Sequence, residues 1–366
     1  MTAADREEGP DCRPGCPHPR LRQGPIHGAA AAEAAFLEAL DAGRLHHAWM
    51  ITGQPGSGKA TLAYRIAAFM LSDGAEAQED GLFAAPARQG LEIDPDHPAL
   101  RLIRSRAHPG LKVLCRAPKK DGKGHYGVIR VDDVRELASF FGLTADGWRI
   151  VIIDALDDMN IAAQNALLKM LEEPPENSLF LLVCHAPSAV LATIRSRCRR
   201  LALKPLKDAE LAALIAETLP ALTGEERALA VSLAEGSPGQ GLSLAAGGGI
   251  ALLREWLAIA AGDGIDLQAA LKLAERLGQK RHEEEYFLFR DILFWWLRRR
   301  VRQAAGIDVA LLPEEKAPSS GGLEDWLNVW EKTERLLRRA EEVNLNRRRS
   351  LTTVFSAISG MGTTKA

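Results

Sequence analysis

The 366-residue chain has almost no net charge: 46 Lys and Arg stand against 48 Asp and Glu, a formal −2. A protein that coats DNA by bulk positive charge is excluded, so any nucleic-acid contact would have to be local. Long hydrophobic runs are missing too. No stretch approaches the roughly 18–20 uncharged apolar residues that span a bilayer, and no membrane partner is expected. Cysteine is scarce: Cys12, Cys16, Cys115, Cys184 and Cys198 are odd in number and mostly scattered, unlike a disulfide framework. Cys12 and Cys16, with His18 nearby, are followed by no second ligand pair at finger-like spacing, so zinc is not expected and no metal site is assigned. The first ten residues carry acid and no apolar core, so a secretory signal is not expected and a cytoplasmic protein is. No internal repeat is apparent.

What is present is ordinary for a globular chain, 46% hydrophobic and 26% charged, and the length suits two to three domains. Residues 1–23 are Pro/Gly-rich without apolar periodicity and are expected to be a disordered leader. Between residues 24 and 205, short apolar runs alternate with helical spacing. Strands are expected at His46–Thr52, Trp148–Asp154 and Ser178–Cys184, with shorter ones near Leu111–Leu114 and Val128–Val131. Helices are expected over Ala29–Leu40, Gly58–Leu71, Asp132–Phe141 and from an Asn160 cap to Glu173, stopped by Pro174-Pro175. This alternation predicts an α/β domain with a parallel sheet covered on both faces. Residues 206–249 read as a small helical unit and residues 250–366 as an all-α domain, with Pro313–Gly322 a loop between its helices.

The strongest local motif is Gly53-Gln54-Pro55-Gly56-Ser57-Gly58-Lys59-Ala60-Thr61, set between a strand and a helix. Glycines let the backbone turn its N–H groups inward, the helix N-terminus adds positive potential, and Lys59 can reach outer phosphates. The candidate nucleotide-binding residues are therefore Gly53, Gly56, Gly58, Lys59, Thr61 and, at the end of a central strand, Asp154. The chemistry is weaker than the architecture. The position after the lysine should carry a hydroxyl for magnesium, and Ala60 has none. Thr61, one residue on, is turned by roughly 100° and is expected to face inward. Asp154 is followed by Ala155 rather than a Glu that would activate water. Losing a positioned base typically costs ~10²–10⁴ in rate, so hydrolysis is not expected. ATP binding without turnover, and a loop kept only as a turn that packs sheet on helix, both remain compatible with the spacing.

Arg195, Arg197, Arg199 and Arg200 crowd into six residues after the Ser178–Cys184 strand. They suit a solvated basic surface; they also suit an arginine finger, whose planar guanidinium matches the charge developing on a transferring phosphoryl group. Ser196-Arg197-Cys198, the block Asn165-Ala166-Leu167-Leu168-Lys169-Met170-Leu171-Glu172-Glu173-Pro174-Pro175, and His47-Ala48 before the phosphate loop together resemble the clamp-loader subunits of bacterial DNA polymerase III, members of the AAA+ class. The resemblance is strong over Leu45–Leu203 and continues through Ala234-Glu235-Gly236-Ser237-Pro238-Gly239. It fades toward Asn344-Leu345-Asn346.

The resemblance implies an AAA+ module (24–205), a helical lid (206–249) and a helical collar (250–366) that joins five subunits in an open ring. It also implies a stator whose Arg197, framed by Ser196 and Cys198, completes the ATP site of an adjacent gamma/tau-type motor subunit. The delta subunit, the sliding clamp and primed DNA are the further partners, and polymerase chemistry resides in another subunit. Motor subunits of the family carry a Ser or Thr at Ala60, a Glu at Ala155 and a lid arginine near Gly239-Gln240; their absence disables hydrolysis in cis and leaves Arg197 intact. The family's zinc-binding cysteine cluster is reduced here to Cys115. The alternative is a free-standing active P-loop ATPase acting on DNA. His46, His47, His97, His108, His125 and His185 are scattered and read as structural or surface residues. Cys184-His185 stands where relatives place a γ-phosphate sensor, though a strand-end core pair fits as well. Aromatics between Glu283 and Val301 suit helical core or subunit interface better than base stacking, and Arg298–Arg300 and Arg347–Arg349 read as solvated faces.

Overall fold

The continuous apolar runs of the first half become the inner strands of a five-stranded parallel sheet in the order β2-β3-β4-β1-β5. The computed structural model describes residues 18, 20, 26–72, 90–116, 128–142, 147–261, 265–307, 321–342 and 346–360. These form two compact units. One holds the described residues of Met1–Lys207 with Gly236–Gln240; the other holds those of Asp208–Glu235 and Gly241–Ala366. Cys12, Cys16, all of the expected leader except His18 and Arg20, His125, residues 313–320 and Asn344-Leu345 lie outside the described residues.

In chain order the first unit runs α1 (Ala30–Asp41), β1 (Ala48–Thr52), α2 (Lys59–Leu71), α3 (Pro98–Arg104), β2 (Leu111–Cys115), α4 (Val131–Gly142), β3 (Arg149–Asp154), α5 (Ile161–Glu172), β4 (Ser178–Cys184), α6 (Ala192–Arg195) and β5 (Arg199–Ala202). Strand side chains alternate between two cores, which is why the runs read as unbroken apolar sequence. Trp49, Ile51, Ile150, Ile152 and Leu181 meet Phe36, Leu62 and Ile66 on one face. Met50, Val151, Ile153, Phe180 and Leu182 meet Leu137, Leu167 and Ile194 on the other. Asn160 caps α5 by accepting the Ala163 N–H at 2.8 Å, and Pro174-Pro175 follow the helix end because proline cannot continue it.

Three local expectations change. Val128–Val131 is not a strand: Ile129 makes one bridge to Met159 and Val131 opens α4. Asp133 accepts the Arg130 N–H at 2.7 Å and turns the chain into the helix there. Between α2 and β2, where no helix was expected, Pro98 starts α3 under a His97 cap, whose Nδ1 accepts the Ala99 N–H. The arginine-rich turn continues into β5, an edge strand in which Leu201 alone is buried; with no apolar alternation it left no strand signal.

The second unit is helical throughout: α7 (Asp208–Thr218), α8 (Gly224–Ala234), α9 (Pro238–Ala246), α10 (Gly249–Ile259), α11 (Leu267–Leu277), α12 (Glu283–Ala304), α13 (Leu323–Glu342) and α14 (Arg347–Ser359). Residues 238–240, the start of α9, belong to the first unit. Trp256 is fully buried, stacks on Phe355 at 5.3 Å and meets Phe289 and Trp296 edge-on. These aromatics are core. Arg299 and Arg300, expected on a solvated face, are instead buried, their guanidinium carbons 4.7 and 4.9 Å from the Trp295 and Trp296 rings. A weakly hydrated, delocalised guanidinium is buried on an indole more readily than a strongly hydrated ammonium. Arg347 is likewise half-buried, over Tyr286 and paired with Glu283, whereas Arg348 and Arg349 are exposed. No single helix among the described residues is long and apolar enough to cross a membrane.

Candidate phosphate loop and arginine site

At the carboxyl edge of the sheet, β1 ends in Thr52 and the chain enters the glycine loop that opens α2. Gly56 and Gly58 take left-handed backbone, φ 79° and 92°, where a side chain would be strained. Space also demands glycine at Gly56: a Cβ there would lie 2.6 Å from the Ser237 hydroxyl oxygen. Lys59 is 3% exposed, and its ammonium donates to the Gly53 and Gln54 carbonyls at 2.8 and 2.7 Å. The Ser237 hydroxyl donates to the Pro55 carbonyl at 2.7 Å, and the Gly239 N–H donates to the Gly56 carbonyl at 2.9 Å. The loop thus has the curvature of a phosphate cradle, while its lysine and carbonyls are engaged within the unit.

A metal-bound nucleotide fits this loop only in part. Ala60 packs against the core and offers no oxygen, and Thr61 is buried at 8% exposure, facing inward as its one-residue offset predicts. Asp154 is half-buried at the end of β3 with β4 between it and β1. Burial first, and then the Asp154 charge, push the Tyr64 phenol on α2 well above its usual range. Among the described residues no group of three His, Cys, Asp or Glu side chains could hold a metal ion.

Asp157, in a short turn after β3, accepts the His185 and Ala186 N–H groups at 2.8 and 3.0 Å. It fixes the turn after β4. Cys184 is buried against this carboxylate, and burial chiefly pushes its thiol up to about 12. Gln164, buried on α5, donates to the Met159 and Ala189 carbonyls and accepts the Leu191 N–H at 2.9 Å. One amide therefore fastens the connection leading to α6. Ile194 at 0% exposure and Val190 at 3% nail that connection to the core.

On this platform the four arginines have four different partners. Arg195 donates to the Pro187 carbonyl, Arg199 lies 5.1 Å over the Trp49 ring, and Arg200 donates to the Thr52 hydroxyl at 2.9 Å. Arg197 pairs with Glu172 at 2.8 Å and donates from its other terminal nitrogen to the Thr193 carbonyl at 3.0 Å. Its side chain stays 38% exposed, so the guanidinium is at the surface and not in the interior. Ser196 is exposed beside it, whereas Cys198 packs toward the core and burial holds its thiol up to about 12.

The sequence fragments behind the resemblance converge on the carboxyl end of α5. His47 donates from Nε2 to the Leu171 carbonyl at 2.9 Å, and the next residue, Glu172, takes Arg197. Burial, and then the neighbouring His46 imidazole stacked at 4.4 Å, hold His47 below its ordinary value. Sequence reasoning did not assign roles to Asp157, Gln164 or Glu172. Glu172 stood inside a quoted motif, but nothing in its spacing says that a residue 25 positions on in the chain would be its partner.

A family model described as DNA polymerase III, delta subunit, matches residues 28–207, within the first unit. A delta-prime subunit of DNA polymerase III from Pseudomonas aeruginosa is 34% identical over 194 residues, 52% of this chain and 53% of that protein. A gamma/tau subunit from Mycobacterium bovis is 32% identical over 195 residues, 52% of this chain and 30% of that protein. Among solved structures, a gamma subunit-related protein from Thermotoga maritima aligns over 89% of this chain and 99% of its own, at 19% identity and a TM-score of 0.40. The chain spans about half the length of the delta-prime relative. Residues 28–207 match the DNA polymerase III delta-subunit family, and over about half of its length the chain is delta-prime-like.

Proposed function

We propose that this chain is the stator of a clamp loader, a subunit that does not hydrolyse ATP but completes the ATP site of a neighbour. Arg197, framed by Ser196 and Cys198, is the group it contributes. The neighbour is a gamma/tau-type motor subunit, in a five-membered ring with a delta subunit that loads the sliding clamp on primed DNA. Residues 206–249 serve as lid and 250–366 as collar, and a role in chromosome replication puts the protein in the cytoplasm.

The observation that carries this reading is a contrast of side chains. Lys59 is buried and spent on its own loop, while Arg197 is at the surface on a platform fixed by Gln164 and Ile194. Ala60 and Ala155 remove the metal hydroxyl and the water-activating base, so chemistry in cis lacks two parts. A nucleotide entering the loop would have to take Lys59 from the Gly53 and Gln54 carbonyls. Were it to bind, phosphates would sit among Gly53, Gly56, Gly58 and Lys59, with Asp154 at the adjoining edge.

The purified chain is expected to turn over no ATP above background, with or without primed DNA. Clear DNA-stimulated turnover by the chain alone supports instead a free-standing P-loop ATPase acting on DNA.

A further inference from the structure

We propose that Glu172 is a positioning residue that parks Arg197: it holds the guanidinium back on this chain's own surface until the more negative phosphates of a neighbour's nucleotide take it over. The inference rests on the arginine-finger reading and adds to it a resting state and the group that maintains it.

Two contacts define the parked state. Nη2 of Arg197 pairs with Glu172 at 2.8 Å, and Nη1 reaches back to the carbonyl of Thr193, four residues earlier. Both pull the guanidinium toward the junction of α5 and α6. A finger reaching into a neighbour has to leave at least one of them. Among the described residues Arg197 is the one of the four clustered arginines held by a carboxylate; the others rest on a carbonyl, a ring and a hydroxyl.

The location of Glu172 is informative. It is the last residue of α5, where the partial negative charge of the helix end disfavours an acid. A carboxylate there serves the helix poorly and serves Arg197 well. Carboxylate and phosphate present similar oxygens to a guanidinium fork, so the arginine can trade one for the other without its charge going unpaired. The trade is electrostatically downhill, because a nucleotide's phosphates carry more negative charge than one carboxylate. The hold must also be weak. Both side chains are partly exposed, 38% and 48%, and such pairs are worth ~0.2–1 kcal/mol, a bias of about 1.4- to five-fold and not a lock.

The test uses the clamp-loader complex reconstituted with this chain, comparing Glu172→Gln, Glu172→Asp, Arg197→Ala and the double variant Glu172→Gln/Arg197→Ala. Glu172→Gln keeps the shape and removes the charge, and is expected to raise kcat/KM for ATP about 1.4- to five-fold. Glu172→Asp keeps the charge and should return toward wild type. The double variant should match Arg197→Ala, because Glu172 acts through Arg197. In the isolated chain, phenylglyoxal should label Arg197 faster in Glu172→Gln than in wild type, a readout independent of any ATP site. Equal labelling, an unchanged or lower kcat/KM in Glu172→Gln, or an effect of Glu172→Gln that persists without Arg197 overturns the parking role. If Arg197→Ala slows turnover while Glu172→Gln changes nothing, parking alone fails. If Arg197→Ala itself changes nothing, the finger reading fails and parking falls with it.

Discussion

The phosphate loop and the arginine platform occupy one sheet and are built in opposite senses. At the loop, charge is turned inward: Lys59 is buried among loop carbonyls, and Ser237 and Gly239 bond to Pro55 and Gly56. At the platform, the neutral parts are turned inward and the charge is left outside. Ile194, Val190 and Cys198 face the core, Gln164 ties the backbone, and Arg197 is half-exposed. Both regions come from motifs that are conspicuous in sequence. The motif names a backbone shape; the partners of its charged side chain decide whether that shape is offered to something outside.

If the platform owes its rigidity to buried anchors, removing one should be the most damaging simple change. Ile194→Ala is expected to lower unfolding free energy by about 2–5 kcal/mol, read by urea titration of the purified chain. A loss below 1 kcal/mol would mean α6 is not anchored as described. Gln164→Ala should follow, at about 1–3 kcal/mol, because the Leu191 N–H and the Met159 carbonyl lose their partner. Hydrogen exchange at Leu191 should speed up in that variant while β1 and β4 stay protected.

On the loop side, Gly239→Ala would place a Cβ 2.8 Å from the Gly56 carbonyl oxygen. Because that neighbour is backbone, relief needs a main-chain shift, and a cost of about 1–3 kcal/mol is expected by thermal unfolding. A variant as stable as wild type would show that the loop is not closed by this segment.

The smallest effect is one of pH. His47, held below its ordinary value of 6.5 by burial, is favoured neutral in the fold, where its Nε2–H serves Leu171. The unfolded chain therefore binds the proton more readily. Stability from this group is complete above about pH 6.5 and is lost as pH falls through the lowered folded value. His108, also lowered by burial, adds in the same direction. The urea midpoint should drop on acidification, and His47→Gln should flatten that slope.

Much of the first unit was legible because its signals are local. β4 matches its expected limits at Ser178 and Cys184, Asn160 caps α5, and the glycine loop lies between β1 and α2. What escaped was set by distant partners. β5 is an edge strand of mostly exposed residues with no alternation to read. The burial of Arg299 and Arg300 depends on helices that pack around α12 and on the indoles beneath them. In the site, Ala60 and Ala155 were readable as absences at fixed spacing. The roles of Asp157, Gln164 and Glu172 were not, since each bonds to a segment at least 25 residues away in sequence.

The central claim is that this chain lends a cation outward and uses none inward. Its most direct test is to compare Lys59→Met with Arg197→Ala for single-turnover ATP hydrolysis in the reconstituted complex. The account predicts near-wild-type hydrolysis for Lys59→Met, and for Arg197→Ala a loss of about 10³-fold or more at the site it serves. Hydrolysis that collapses in Lys59→Met and survives in Arg197→Ala would contradict it.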